Sequence, residues 1–162
     1  MRSFDTLRAL LEQRIATWCA QLPANGLYAP MGYIMQLPAK RVRPVAVLMA
    51  HELFGGDAEQ VMDEALGIEL FHNFTLMHDD IMDAAPLRRG RPTVHMKWDV
   101  NTAILSGDAM LVKAHRLMSA DGRVSAIFDQ RALEVCEGQQ LDMAFEQRND
   151  VTLAEYQEMI RL

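Results

Sequence analysis

The sequence predicts an all-α protein, and two observations indicate this class. Apolar residues recur three and four positions apart in one segment after another, which is the period of an amphipathic helix. Stretches in which apolar and polar residues alternate are too short for strands, and no Asn-Gly or Asp-Gly turn joins two of them. We therefore expect a helical bundle and no strand pair.

Two helical segments open the chain. Ser3 or Asp5 can cap the first, which runs to about Gln21, because their side-chain oxygens accept hydrogen bonds from amides of the first turn. The pattern over residues 28–37 is short and ambiguous, and Pro38 ends it. The first segment carries a continuous apolar stripe, which consists of Leu7, Leu10, Leu11, Ile15 and Trp18.

A third and a fourth segment follow. Pro44 can occupy the first turn of the third helix, because that turn does not need the amide hydrogen that proline lacks. Gly55 and Gly56 end this helix. Asp57 begins the longest segment of the chain, which Pro86 stops.

The second half of the chain is also helical. Two segments cover approximately residues 99–118 and 123–148. A last apolar stripe begins at Thr152 and reaches Leu162 without a C-cap or a polar tail. We therefore expect that a helix is cut here and that the chain is a fragment of a longer one.

Composition indicates a globular protein and argues against several classes. The chain has 162 residues, of which 50% are hydrophobic and 23% charged. Its net charge of -6 and its pI of about 5.3 argue against a nucleic-acid partner. Cys19 and Cys136 form no CxxC pair, so we expect no disulfide framework and a cytoplasmic location. No signal-peptide core or apolar run of membrane-spanning length occurs, so we expect a chain that does not span a membrane.

Three aspartates crowd the end of the fourth segment. Asp79 and Asp83 project from one face of the helix within one turn, and Asp80 lies beside them. Their repulsion must be relieved by protonation, by arginine or by a metal, and hard oxygen ligands at this density suit Mg²⁺. The alternative is a solvated helix end whose aspartates pair with nearby arginines.

Two groups of basic residues can bind anions. Arg88 and Arg89 follow the aspartates and carry forked donors that match phosphate oxygens, which together with a metal predicts a diphosphate site. A second group, in AKRVRP, precedes the first turn of the third helix, where free amides accept anions. His72 lies two turns before Asp79 on nearly the same helix face. The alternatives here are a solvated loop and an ordinary core histidine.

Three motifs in order make the chain resemble a known family, the trans-type polyprenyl (isoprenyl) diphosphate synthases. AKRVRP is similar to the family's GKRxRP, with Ala39 in place of glycine. FHNFTLMHDDIMDAAPLRRGRPTVH resembles the first aspartate-rich region with its following RRG, and GQQLD resembles GQxxD. The resemblance covers essentially the whole chain. It implies a helical bundle of the isoprenoid synthase type, truncated here, with residues 1–162 as the N-terminal portion of a single domain.

The resemblance implies a role for each matching residue. Asp79, Asp80 and Asp83 would hold Mg²⁺ against the diphosphate of an allylic substrate, and Arg88 would contact the same diphosphate. The allylic substrate would ionise, the double bond of isopentenyl diphosphate would attack the cation, and a proton would leave. The diphosphate of isopentenyl diphosphate would be bound by Lys40, Arg43, His72 and Arg89. Gln139 and Asp142 would face the reacting groups from another helix.

Product length and assembly are further implications of the resemblance. A bulky aromatic residue five positions before the first aspartate accompanies short products in the family, and Phe74 stands there, followed by the small Thr75. We expect a C15 to C20 product. The second aspartate-rich motif and a later Lys-Thr segment of the family are missing, so we expect the chain by itself to be inactive. The family also implies a homodimer.

Two alternatives stay open. His78 and Asp79, with His51 or His72 upstream, loosely match the HD pattern of metal-dependent phosphohydrolases, which are also all-α. That class leaves KRVRP and RRG unexplained. The other alternative is a non-catalytic, synthase-like subunit that binds a full-length homologue, which the missing half favours and the retained metal and diphosphate residues oppose.

Overall fold

The computed structural model describes all residues from 1 to 162 and contains eight α-helices. Its regular elements are α1 (Phe4–Ala20), α2 (Ala29–Met35), α3 (Val42–Leu53), a 3₁₀ turn (Ala58–Val61), α4 (Met62–Met82), β1 (Leu87–Arg88), β2 (Arg91–Pro92), α5 (Val94–Lys97), α6 (Val100–Met118), α7 (Gly122–Phe145) and α8 (Leu153–Arg161). The predicted all-α class is confirmed. None of the helices has the length and apolar character needed to cross a membrane.

The first helices begin and end close to where the sequence places them. Ser3 caps α1, and its side-chain oxygen accepts a hydrogen bond from the amide of Thr6. The ambiguous segment forms α2, with proline in its first turn. Pro44 lies in the first turn of α3, as predicted, although α3 begins two residues earlier.

The fourth helix is shorter than predicted, and it is not the longest helix of the chain. Asp57 forms a capping box with Gln60, but this box begins a 3₁₀ turn, and α4 starts only after it. A capping box stabilises either kind of first turn, so the motif cannot tell the two apart. α4 has 21 residues and is shorter than α7, which has 24.

The expectation of no strand pair is also wrong. β1 and β2 form a minimal antiparallel hairpin in which Leu87 pairs with Pro92 and Arg88 with Arg91. The turn residues, Arg89 and Gly90, have positive φ values of 52° and 75°. Tight hairpin turns of this kind need two left-handed residues, and Asn-Gly is their usual sequence, whereas Arg-Gly does the same here.

The chain divides into two compact units, Met1–Met118 and Ser119–Leu162. In the first unit α6 packs along α4, and α3 and α1 also contact α4. Gly107 permits a close approach of α6, because a side chain there would lie 2.4 Å from Nε2 of His78. The core of this unit contains fully buried side chains from five helices, among them Leu7, Leu11, Met31, Leu48, Leu66, Leu70 and Met110.

The second unit consists of α7 and α8 packed together. Gly138 of α7 is buried, and a side chain there would lie 3.1 Å from Cβ of Leu162. Thr152 caps α8 and forms a capping box with Glu155. The prediction that both units belong to one domain stays a prediction.

Candidate active site

Two carboxylates lie at the C-terminal end of α4. Asp79 is in the last turn, and Asp83 is the C-cap residue, one turn further on. This is the end of a helix at which negative charge is least favourable. Burial raises the pKa of the Asp79 carboxyl, and the charge of Asp83 raises that pKa further. The pair is therefore a place where a cation would lower the energy of the folded chain.

Asp80 is held differently from its neighbours. It is buried, and both its carboxylate oxygens accept hydrogen bonds of 2.8 Å from Nε of Arg88. Nη2 of Arg88 lies 2.7 Å from the same carboxylate. The hydrogen bond to Asp80 raises the pKa of the Arg88 guanidinium. The predicted pairing of an aspartate with an arginine thus occurs for this aspartate, which leaves Asp79 and Asp83 for another role.

The hairpin determines where the two arginines of the RRG motif point. Arg88 lies on β1 and reaches back to α4, whereas Arg89 occupies the turn. Thr93 closes the loop, because its hydroxyl donates a 2.8 Å hydrogen bond to the carbonyl of Ala85. Burial and the charge of Arg41 lower the pKa of Arg89. The two neighbouring arginines therefore point to two different parts of the site.

A cavity of about 590 Å³ contains the predicted second anion site. Four predicted residues line it together, namely Lys40, Arg43, His72 and Arg89. The other lining residues are Pro38, Ala39, Arg41, Val42 and Glu69. The structure thus brings together side chains from the start of α3, from α4 and from the hairpin, as an anion site requires.

His72 is neutral in this surrounding. Burial lowers its pKa to about 4, and the positive charges of Arg43, Arg89 and Arg88 contribute in the same direction. Lys40, Arg41, Arg43 and Arg89 outnumber the single carboxylate of Glu69 in the cavity wall, so an anion bound there would relieve an excess of positive charge.

Sequence reasoning missed two acidic residues that belong to this region. Glu69 is 1% exposed, lines the cavity and lies 2.6 Å from Nη1 of Arg41. Glu12 of α1 accepts a second hydrogen bond, of 2.8 Å, from Nε of Arg41. The only signal was a glutamate within the apolar run LGIELF, because a buried acid needs a partner.

The residues predicted to set product length lie on α4 above the aspartates. The ring of Phe74 is half-buried, with its centroid 4.7 Å from that of His78 and 5.7 Å from that of Phe71. The hydroxyl of Thr75 donates a 2.8 Å hydrogen bond to the carbonyl of His72. Phe74 is therefore one member of an aromatic row.

Gln139 and Asp142 are placed in the second unit. Both lie on α7, where Gln139 is half-buried and Asp142 is exposed. Three positions separate them, so they share one side of that helix. Their predicted role at the reacting groups stays a prediction.

The carboxylates suit a metal that also binds a ligand. No three or more His, Cys, Asp or Glu side chains form a group that could hold a metal ion by themselves. Mg²⁺ rarely uses such an all-protein cage and takes one or two carboxylates together with waters and phosphate oxygens. Asp79 and Asp83 fit that requirement, because neither is engaged by an arginine as Asp80 is.

Comparisons with known proteins show the family of this chain. The family model described as Polyprenyl synthetase matches residues 24–162. The geranylgeranyl diphosphate synthase of Methanosarcina mazei is 43% identical over 141 residues, which are 83% of this chain and 44% of that protein. The chain spans about half the length of the curated relatives it matches.

Solved structures show the same arrangement of helices. A crystal structure of a geranylgeranyl pyrophosphate synthase has a TM-score of 0.95 and 48% identity, and the match covers 99% of this chain and 50% of that one. The geranylgeranyl pyrophosphate synthetase of Geoglobus acetivorans has a TM-score of 0.92 and 36% identity, with 98% of this chain and 54% of that one covered.

Proposed function

This chain belongs to the polyprenyl synthetase family, and on that premise we propose that the complete protein is a Mg²⁺-dependent prenyltransferase. Its helical bundle is of the isoprenoid synthase type. The proposed reaction joins isopentenyl diphosphate to an allylic diphosphate, and inorganic pyrophosphate is released. Relatives named geranylgeranyl diphosphate synthase and short chain isoprenyl diphosphate synthase support this substrate class.

One observation carries the proposal: a basic cavity and a pair of carboxylates lie along the same helix, α4. His72 faces the basic cavity, and the Asp79–Asp83 pair lies at the helix end. The seven residues from His72 to Asp79 correspond to about 10 Å along a helix axis. Two diphosphates held at such sites would be close enough for their hydrocarbon ends to meet between them.

We assign the allylic diphosphate to the aspartate end. Asp79 and Asp83 would hold Mg²⁺, whose charge would be available to the diphosphate that leaves with the bonding electron pair. Arg88, held by Asp80, would donate hydrogen bonds to the same leaving group. Charge develops on that group as the carbon–oxygen bond breaks, so a fixed donor acts where it lowers the barrier most.

We assign isopentenyl diphosphate to the basic cavity. Lys40, Arg43 and Arg89 would bind its diphosphate, and neutral His72 would donate or accept one further hydrogen bond. The substrate's double bond would then attack the allylic cation, and a proton would leave the product. Gln139 and Asp142 would complete the surroundings of the reacting groups.

Product length would depend on the row of aromatic side chains above the aspartates. Phe74 would block a growing chain, and we propose a C15 to C20 product. We further propose that the complete protein is a cytoplasmic homodimer. The chain of 162 residues would lack activity by itself, because it spans about half of its relatives. The HD-type phosphohydrolase gains no support, since His51 bonds to Gln60 instead of a shared metal group.

A prenyl transfer assay tests this function. Labelled isopentenyl diphosphate and an allylic diphosphate are supplied together with Mg²⁺. One sample contains the chain of 162 residues, and the other contains the complete, full-length protein. We expect acid-labile prenyl product from the full-length protein only, and none in EDTA. A full-length protein that binds both substrates without product would support the alternative of a non-catalytic subunit.

A further inference from the structure

Arg41 differs from the other basic residues of its motif in where its side chain lies. Lys40 and Arg43 are exposed, whereas the Arg41 side chain is 2% exposed. All three line the same cavity. Sequence alone suggests three equivalent anion-binding groups, and the structure separates one of them from the others.

The guanidinium of Arg41 is occupied by groups of this chain. Nε donates to Glu12 at 2.8 Å, and Nη1 donates to Glu69 at 2.6 Å. Nη2 donates to the carbonyl of Met35 at 2.6 Å. These acceptors belong to α1, to α4 and to the end of α2, so one side chain connects three helices to the start of α3. All three nitrogens of the guanidinium are thus engaged before any ligand binds.

The backbone at Arg41 has an unusual conformation. Its φ of 54° and ψ of 33° lie in the left-handed region, which residues with a side chain rarely adopt. Surrounding contacts must hold such a residue in place. The buried ion pairs of Arg41 hold it in this conformation. Because Arg41 lies between Lys40 and the first residues of α3, they also fix the position of this turn.

Arg41 also determines the charge of the cavity wall. Glu69 lines the cavity together with the cationic residues, and its carboxylate is paired with Arg41. Without Arg41, this carboxylate would face the site with an unbalanced negative charge. It would then repel a diphosphate that Lys40 and Arg43 attract.

We propose that Arg41 is a positioning residue of the isopentenyl diphosphate site, which fixes the turn carrying Lys40 and Arg43, neutralises Glu69 and does not bind the substrate. This inference rests on the proposed function. It predicts that the geometry of the Arg41 fork matters as well as its charge, because the compact ammonium group of lysine does not spread its donors over the three guanidinium nitrogens that reach these acceptors.

Calorimetric titration with isopentenyl diphosphate in EDTA tests the proposal, since EDTA leaves the metal-dependent aspartate end without its cation. Arg41→Lys keeps the charge and removes the fork. We expect it to weaken binding by about tenfold or more while the circular dichroism stays helical, because small displacements of binding groups are costly. The matched control is Arg14→Lys, since Arg14 also joins α1 to α4, through Asp63 at 2.7 Å, outside the cavity. The affinity of the control variant for isopentenyl diphosphate should stay within about twofold of that of the unsubstituted chain.

A second variant covers the case in which Arg41→Lys fails to fold. Glu12 holds Arg41 but does not line the cavity, so an effect of Glu12→Gln on binding would be transmitted through Arg41. We expect weaker binding in this variant too, with a smaller change than in Arg41→Lys.

A double-mutant cycle with Lys40→Met separates positioning from a general loss of structure. If Arg41 acts through Lys40, Arg41→Lys costs less affinity once Lys40 has been removed. Additive effects, or unchanged affinity in folded Arg41→Lys and Glu12→Gln, would overturn the proposal. A failure of the proposed function looks different: the unsubstituted chain would then bind no isopentenyl diphosphate, and the inference would fall with it.

Discussion

Single side chains determine which charges of the candidate site are open to a ligand. Asp80 and Arg41 are buried and satisfied by partners within the chain. Asp83, Lys40 and Arg43 are exposed. A paired, buried charge serves mainly to hold its partner, whereas an exposed charge in a cavity can exchange water for a ligand. The same motif therefore contains residues of both kinds.

Neutralising the aspartate pair should remove metal-dependent binding without unfolding the chain. The pKa of Asp79 is raised, so its charged form costs free energy in the folded state at neutral pH. Asp79→Asn with Asp83→Asn should abolish Mg²⁺-dependent pyrophosphate binding and raise the melting temperature of the metal-free chain. Asp80→Asn is the contrasting variant, because it weakens the buried pair with Arg88 and should lower that temperature. Undiminished Mg²⁺-dependent binding in the double variant would refute the assignment.

His72 should make stability depend on pH. Its pKa is about 4 in the folded chain and about 6.5 when unfolded, so the unfolded state binds more protons between these values. The free energy of unfolding should therefore fall as the pH decreases from about 6.5 towards 4. His72→Gln should reduce this fall, as measured by urea titration at several pH values. His51→Gln, outside the cavity, is the control, and equal slopes in all three proteins would contradict the prediction.

The hairpin of β1 and β2 places both arginines of the RRG motif. Its strands have two residues each, so its shape depends on the turn more than on cross-strand contacts. Gly90 has a φ of 75° and no neighbouring atom within 4 Å of an added Cβ. Any effect of a side chain there would come from backbone strain.

Gly90→Ala should therefore destabilise the hairpin and displace the arginines. The left-handed conformation costs an ordinary residue about 1–2 kcal/mol. We expect a loss of stability of that size together with weaker pyrophosphate binding, measured by a thermal melt and by calorimetry. Gly26→Ala is a matched control, because Gly26 also has open space around it but no positive φ. Equal behaviour of the two variants would show that the turn does not place the arginines.

The helices could be predicted from the sequence, whereas the turns could not. The three-to-four periodicity and the Ser3 cap predict α1 correctly because both are local. The Arg89-Gly90 hairpin was missed, because arginine in a left-handed turn has no local signature. Lys40, Arg43, His72 and Arg89 were grouped by family resemblance, and the structure brings them to one cavity. The inward orientation of Arg41 depends on Glu12 and Glu69, which lie far away in the sequence and leave no pattern near the motif.

The aromatic row on α4 carries a prediction about product length. Phe74 is half-buried, so Phe74→Ala should cost less than the roughly 3–5 kcal/mol of a fully buried phenylalanine. In a full-length protein we expect longer prenyl products with substantial turnover, because the block on the growing chain is gone. Chromatography of the dephosphorylated products, beside a thermal melt, measures both effects. An unchanged chain length would mean that Phe74 serves only packing.

At the scale of the whole molecule, the first unit leaves an apolar stripe uncovered. Leu105 and Val112 of α6, seven residues apart on one face, are 61% and 60% exposed. Apolar side chains exposed on one face of a helix can form a contact surface. We expect the chain to associate as a dimer or a larger species in size-exclusion chromatography with light scattering.

Introducing charged residues into that stripe should weaken the association. Leu105→Glu with Val112→Glu should give a smaller species with little change in melting temperature, since both side chains already face solvent. Arg8→Glu makes the same change of charge on another helix, α1, where its side chain is 45% exposed, and serves as the control. A monomeric unsubstituted chain would contradict the expectation.

We propose that α4 carries two diphosphate sites, one dependent on Mg²⁺ and one independent of it. Calorimetric titration of this chain with inorganic pyrophosphate, in EDTA and then in Mg²⁺, measures the number of sites directly. We predict one bound pyrophosphate per chain in EDTA and two in Mg²⁺, with only the second lost in the double variant of Asp79 and Asp83. The same number of bound pyrophosphates in both conditions, or none in either, would contradict the claim.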